Sequence, residues 1–85
     1  MRFVILGGAG AVGAAVVRDL LACADVQQVV IADIDLQRAE KLAAACAAPR
    51  AVARALDVRN AGEVRAILRS ADVAVNCAFY RYNLA

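Results

Sequence analysis

Gly8, Gly10 and Gly13 stand at the G-x-G-x-x-G spacing, directly after the short apolar run Phe3-Val-Ile-Leu6. An apolar, alanine-rich pattern with helical character follows them. Twenty residues beyond Gly13, the run Val29-Val-Ile-Ala ends in Asp33. Strand, glycine turn, helix, strand and acid in this order make up the fingerprint of a dinucleotide-binding unit. Each part has a physical task. Gly8 lets the chain turn tightly out of the strand. Gly10 has no side chain, so the backbone can approach a pyrophosphate. Gly13 lets the helix pack close to the sheet. The pyrophosphate would meet the open N–H groups and the positive dipole end of the helix. Asp33 would accept hydrogen bonds from the adenosine ribose. The plainer alternative is an ordinary βαβ turn that binds nothing.

Asp33 also bears on the choice of cofactor. A carboxylate accepts from a free 2′-hydroxyl and repels a 2′-phosphate. Ile34 follows it, where phosphate-binding versions often carry an arginine. That favours NAD. Arg38 lies one helical turn downstream, within reach of a phosphate, which keeps NADP as the alternative. A solvated helix face is the plainer reading of Arg38. Asp57 and Val58 end a third strand-like run, beside the place an adenine would take. Asp57 suits the adenine amino group or, equally, a turn. Asn76, Cys77 and Ala78 end a fourth run, at the carboxyl edge where ligands bind in such sheets. The small Ala78 would leave room for the nicotinamide ribose, and Asn76 suits either a ligand or a local hydrogen bond.

These residues need elements to hold them. The pattern predicts strands over 2–6, 28–32, 51–56 and 71–77, and helices over 11–24, 35–47 and about 60–69. Asp35 reads as the N-cap of the second helix, with Leu36, Ala39, Leu42 or Ala43, and Cys46 on its apolar face. Pro49 stops that helix. Arg54, in the middle of the third strand, suits a sheet edge. Asn60-Ala-Gly-Glu63 resembles a capping box. Strands separated by single helices imply right-handed parallel crossovers. The predicted fold is α/β, a partial Rossmann fold with a parallel sheet in the order 3-2-1-4 and three helices. Its crevice lies between the first and fourth strands. About two more strands would complete such a domain.

The 85 residues allow one domain. A domain of this size hides only about 60–65% of its unfolded surface. The 64% hydrophobic content excludes disorder and exceeds what so small a unit buries easily. A longer chain or a partner subunit, a homo-oligomer included, would provide the cover. The net charge of +2 is scattered without a basic stripe, so nucleic acid is not an expected partner. Cys23, Cys46 and Cys77 are widely spaced, with no C-x-x-C pair and no histidine in the chain. They read as buried free thiols in a reducing cytoplasm rather than as disulfides or metal ligands. The apolar start is too short and glycine-rich for a signal peptide, and no membrane span is expected.

Four stretches, Val4–Gly13, Ile31–Ala39, Leu56–Val58 and Asp72–Ala78, occur in this order and are followed by Tyr80-Arg-Tyr-Asn-Leu84. Together they resemble the N-terminal part of the saccharopine dehydrogenase-like family. The resemblance implies an oxidoreductase that uses NAD or NADP on C–N bonds of small amino-acid-like substrates. It also implies a longer protein, of which residues 1–85 are the N-terminal part of the dinucleotide-binding domain, with no second domain present. By position, Gly8, Gly10, Ala11, Val12 and Gly13 would carry the phosphates, Asp33 the ribose and Asp57 the adenine region. Asn76, Cys77 and Ala78 would line the nicotinamide side. Ile34 departs from the arginine common in relatives. No catalytic acid or base is visible: Tyr80 and Tyr82 form no Tyr-x-x-x-Lys pair, since Lys41 is the only lysine. Phe79–Asn83 suits a substrate-facing loop or packing against other parts of a larger protein. The chain alone is not expected to turn over substrate. A stand-alone dinucleotide-binding regulatory or dimerisation module is the competing reading, and a fold that has lost its ligand is a third.

Overall fold

The structure is a computed structural model that describes residues 1–77. Strands β1 (Arg2–Leu6), β2 (Gln28–Asp33), β3 (Ala51–Ala55) and β4 (Val73–Asn76) alternate with helices α1 (Ala11–Leu21), α2 (Leu36–Cys46) and α3 (Ala61–Arg69). The four strands form one parallel sheet in the order β3-β2-β1-β4, as the sequence predicts. Leu6 pairs with Ala32 on one side and Asn76 on the other, so the end of β1 sits centrally. The chain order reverses there, which opens a crevice at the carboxyl edge.

Side chains along β1 alternate between two cores. On one face, Ile5, Val29 and Ile31 pack against Val17 of α1 and Ala39 of α2. On the other, Val4, Leu6, Val30, Ala32 and Leu56 pack against Ile67 of α3. Burying each of these branched side chains contributes about 1.5–3 kcal/mol, before entropy is counted. β1 and β2 are covered on both faces and read as continuous apolar runs. The outer strands are not. Arg54 and Ala55 of β3 are exposed, as an edge strand permits. Val75 of β4 and Cys77, just past its end, join the α1–α2 side, while Ala74 and Asn76 alternate to the other face and are exposed.

Local chemistry sets the element ends. The Asp35 side chain accepts from the Arg38 N–H at 3.2 Å and caps α2. Asn60 accepts from the Glu63 N–H at 3.1 Å and caps α3. Glu63 reaches back to the N–H of Asp57 at 3.3 Å instead of that of Asn60, whose N–H already donates to the Asp57 carbonyl. The capping box is therefore widened by three residues. α2 ends where Ala47 takes a left-handed conformation, φ 52°, two residues before Pro49.

Four expectations need correction. α1 stops at Leu21 rather than near Ala24. The Arg50 guanidinium takes the carbonyls of Leu21, Cys23 (3.1 Å) and Val26 (2.6 Å), which supports a turn there instead of further helix. β4 begins at Val73 rather than Ala71, because the Ser70 and Ala71 N–H groups still donate into the end of α3. Leu36 is 39% exposed and lies off the buried face, which Ala39 leads. Cys23 is exposed rather than buried, while Cys46 is half-buried and Cys77 is buried. Among the described residues, no helix is long and apolar enough to cross a membrane.

Candidate functional site

The loop between β1 and α1 divides its work among its glycines differently from the sequence reading. Gly7, not Gly8, takes the left-handed conformation that turns the chain out of β1, with φ at 74°. The N–H groups of Gly7 and Gly8 both point at the Ala32 carbonyl, at 2.7 and 3.3 Å. Gly8 is needed for clearance. A Cβ there would lie 2.9 Å from Ile31 Cγ2 and 3.1 Å from the Ile5 carbonyl oxygen. A Cβ on Gly13 would lie 2.5 Å from the Gly8 Cα. The first turn of α1 thus rests directly on the loop backbone. Gly10 is the N-cap of α1, with extended backbone and no side-chain cap. Its carbonyl accepts from the Ala14 N–H at 2.8 Å. The N–H groups that open the helix have no intrahelical acceptor by geometry. Ala11 and Val12 stand exposed at this end, Val12 at 45%.

Asp33 ends β2 beside this loop and is 2% exposed. One carboxylate oxygen accepts from the Ala9 N–H at 3.1 Å and the other from the Asp35 N–H at 3.0 Å. The Asp33 carbonyl accepts from the Leu56 N–H at 2.9 Å. The acid at the end of β2 therefore also fixes the glycine loop. Arg38 grips the same residue from the other side, its Nη2 donating to the Ala9 carbonyl at 3.3 Å. Ile34, 53% exposed, opens the next turn.

A second cluster lies beyond β3. Ile34, Ala55, Leu56, Asp57 and Glu63 line a cavity of about 220 Å³. A neighbouring cavity of about 200 Å³ runs along Arg54, Leu56, Glu63, Ala66 and Ile67. Asp57 holds Arg59 in a two-point pair, Oδ1 to Nε at 3.0 Å and Oδ2 to Nη2 at 2.9 Å. The Arg59 guanidinium, and then the Arg59 N–H, hold the Asp57 carboxyl below its ordinary range. Val58 is half-buried against the α3-side core. Across the crevice, the Cys77 N–H donates to the Leu6 carbonyl at 2.8 Å, and burial pushes its thiol up in pKa. Asn76 stands exposed at the end of β4. Ala78 and the segment Phe79–Asn83 lie outside the described residues.

The structure brings the glycine loop, Asp33 and Arg38 together around Ala9, and sets Ile34, Asp57 and Glu63 around one cavity. Three contributors escape the sequence reading. Gly7 carries the turn, and the doubled glycine after the strand is the signal that two different tasks fall there. Ala9 acts through its backbone, which no side-chain pattern reveals. Glu63 reads only as a capping residue, yet it lines both cavities.

This fold and loop have known counterparts. Quinate dehydrogenase from Corynebacterium glutamicum, solved in complex with NAD, superposes with a TM-score of 0.72 at 30% identity, over 89% of this chain and 26% of that one. 3-Hydroxyacyl-CoA dehydrogenase type-2 from Mycobacterium avium superposes with a TM-score of 0.67 at 28% identity, over 89% of this chain and 31% of that one. The chain thus spans less than a third of the length of either protein. The model of the saccharopine dehydrogenase NADP binding domain matches residues 3–85. These likenesses support a dinucleotide of the NAD(P) class as the ligand, in line with the fingerprint. With a match that runs over nearly the whole sequence, the chain belongs to the saccharopine dehydrogenase NADP binding domain family.

Proposed function

We propose that this chain is the cofactor-binding part of an NAD(P)-dependent oxidoreductase that acts at a C–N bond of an amino-acid-like substrate. The observation that carries the cofactor reading is the loop around Ala9. Gly8 and Gly13 let the first turn of α1 rest on the loop backbone, Gly10 caps the helix without a side chain, and the buried Asp33 holds the loop in place. The bound nicotinamide supplies the hydride chemistry. The residues of this chain bind and orient. Gly10, Ala11, Val12 and Gly13 present N–H groups to the pyrophosphate. Asp33 accepts from the ribose. The cavity at Ile34, Asp57 and Glu63 receives the adenine, and Asn76 and Cys77 border the nicotinamide side. The substrate site belongs to a longer cytoplasmic protein. The part this chain plays is consistent with the small share it covers of the two dehydrogenases it resembles.

An NMR titration of the chain with NAD tests the reading. The amides of residues 7–13 and of Asp33 should shift together and saturate. A folded sample whose loop amides stay still with both NAD and NADP would leave the fingerprint a purely structural turn.

A further inference from the structure

Ile34, Ala55, Leu56, Asp57 and Glu63 line the cavity at the end of β3. Three of these side chains are apolar and two are carboxylates, so the lining side chains accept hydrogen bonds and donate none. A ligand edge that donates suits such a wall. The exocyclic amino group of adenine is one, with two N–H groups. The two carboxylates are not equally open to it. Asp57 meets three donors of Arg59: Oδ1 accepts from the backbone N–H at 2.9 Å and from Nε at 3.0 Å, and Oδ2 accepts from Nη2 at 2.9 Å. A base at that carboxylate would compete with a guanidinium. Glu63 engages only Oε2, on the Asp57 N–H at 3.3 Å. Its Oε1 has no donor among the described residues. The Glu63 N–H donates to the Asn60 side chain at 3.1 Å, which fixes the residue in the first turn of α3, where it borders both cavities.

We infer that Glu63 of α3, and not Asp57, reads the base: its free oxygen accepts from the 6-amino group of adenine and so selects adenine over a 6-oxo purine in the dinucleotide. The inference rests on the proposed dinucleotide site and deepens it. The bond from the Asp57 N–H tethers the Glu63 carboxylate to the end of β3, beside the cavity. A 6-oxo purine such as hypoxanthine brings an oxygen to the place of the amino group. Two acceptors then face each other, one of them charged. A position built to accept from an N–H rejects the analogue that lacks it more strongly than a small change of size would. The apolar wall of Ile34, Ala55 and Leu56 meets either purine alike, so the discrimination falls to Glu63.

Calorimetric titration with NAD and with nicotinamide hypoxanthine dinucleotide, which differ in the purine alone, tests this in the wild-type chain, Glu63→Gln and Asp57→Asn. Wild type should bind NAD about tenfold more tightly, the contribution of one charge-assisted bond. In Glu63→Gln the side-chain amide has an N–H to offer the 6-oxo group and an oxygen to offer the 6-amino group. The ratio should therefore fall to within about twofold, with the hypoxanthine dinucleotide gaining affinity. Asp57→Asn should change both affinities by the same factor and keep the wild-type ratio. Equal binding of the two dinucleotides by wild type, a ratio unchanged in Glu63→Gln, or one that collapses in Asp57→Asn would overturn the role of Glu63 and leave the site reading intact. A wild-type chain that binds neither dinucleotide would overturn the site reading, and this inference with it.

Discussion

At the carboxyl end of β1, two glycines meet backbone to backbone, with 2.5 Å between the place of a Gly13 Cβ and the Gly8 Cα. At the carboxyl end of β3, Asp57 and Arg59 meet through charged side chains, in solvent on the arginine's side. The first corner is specified by the absence of atoms and by buried hydrogen bonds. The second is specified by groups that water can replace. Both face the proposed cofactor. The contrast teaches that the pyrophosphate end of this site is part of the folding core, while the adenine end is decoration on it. Damage to the first should appear as lost stability, and damage to the second mainly as altered binding or titration.

The largest expected effect tests the first corner. Gly13→Ala places a methyl group against the Gly8 backbone, and neither the sheet nor the helix can yield locally. The cost should be about 3 kcal/mol or more, a large share of the stability of a small domain. Gly8→Ala meets the flexible end of Ile31 as well as the Ile5 carbonyl, so about 1–3 kcal/mol is expected. Urea midpoints at unchanged slope measure both. A Gly13→Ala chain within about 1 kcal/mol of wild type would show that the helix can lift off the loop, and the proposed division between corners would fail.

The same contrast explains what the sequence discloses. The glycine spacing, the alternation of strands and helices and the acid at position 33 are local or periodic signals. They place the sheet order and the loop correctly because a parallel sheet with short crossovers leaves few arrangements. The end of α1 is not local. It depends on Arg50, which bonds carbonyls more than twenty residues earlier. The commitment of Asp33 to Ala9 is hidden for the same reason: it joins a side chain to a backbone group 24 positions away. The exchange of tasks between Gly7 and Gly8 is hidden because the G-x-G-x-x-G spacing selects Gly8, while the turn out of the strand needs only a glycine at one of the two places. Leu36 misleads in a simpler way, since its apolar side chain fits the helical period but joins neither core and stays exposed.

A smaller effect is expected where α3 begins. Asn60→Ala removes the cap on the Glu63 N–H, for a loss of about 1 kcal/mol in the urea midpoint. Because Glu63 lines both cavities, the amide shifts caused by NAD around Leu56 and Asp57 should change as well. A destabilisation as large as that of Gly13→Ala would mean that the β3–α3 corner is core after all.

The smallest effect belongs to the exposed ion pair. The bonds from Arg59 lower the Asp57 pKa in the folded chain. A carboxyl whose folded pKa lies below its unfolded value contributes its stability above the unfolded pKa. That contribution is lost as the pH falls through the folded pKa. At neutral pH it is fully present, and because the pair sits in solvent it is small. Arg59→Ala should therefore leave the neutral-pH unfolding midpoint almost unchanged. The Asp57 carboxyl titration, followed by carbon NMR, should move up towards the ordinary aspartate range. A midpoint shift at neutral pH comparable to that of Asn60→Ala would instead make the Asp57–Arg59 pair a structural anchor. In that case both ends of the site, not the pyrophosphate end alone, would be built into the fold.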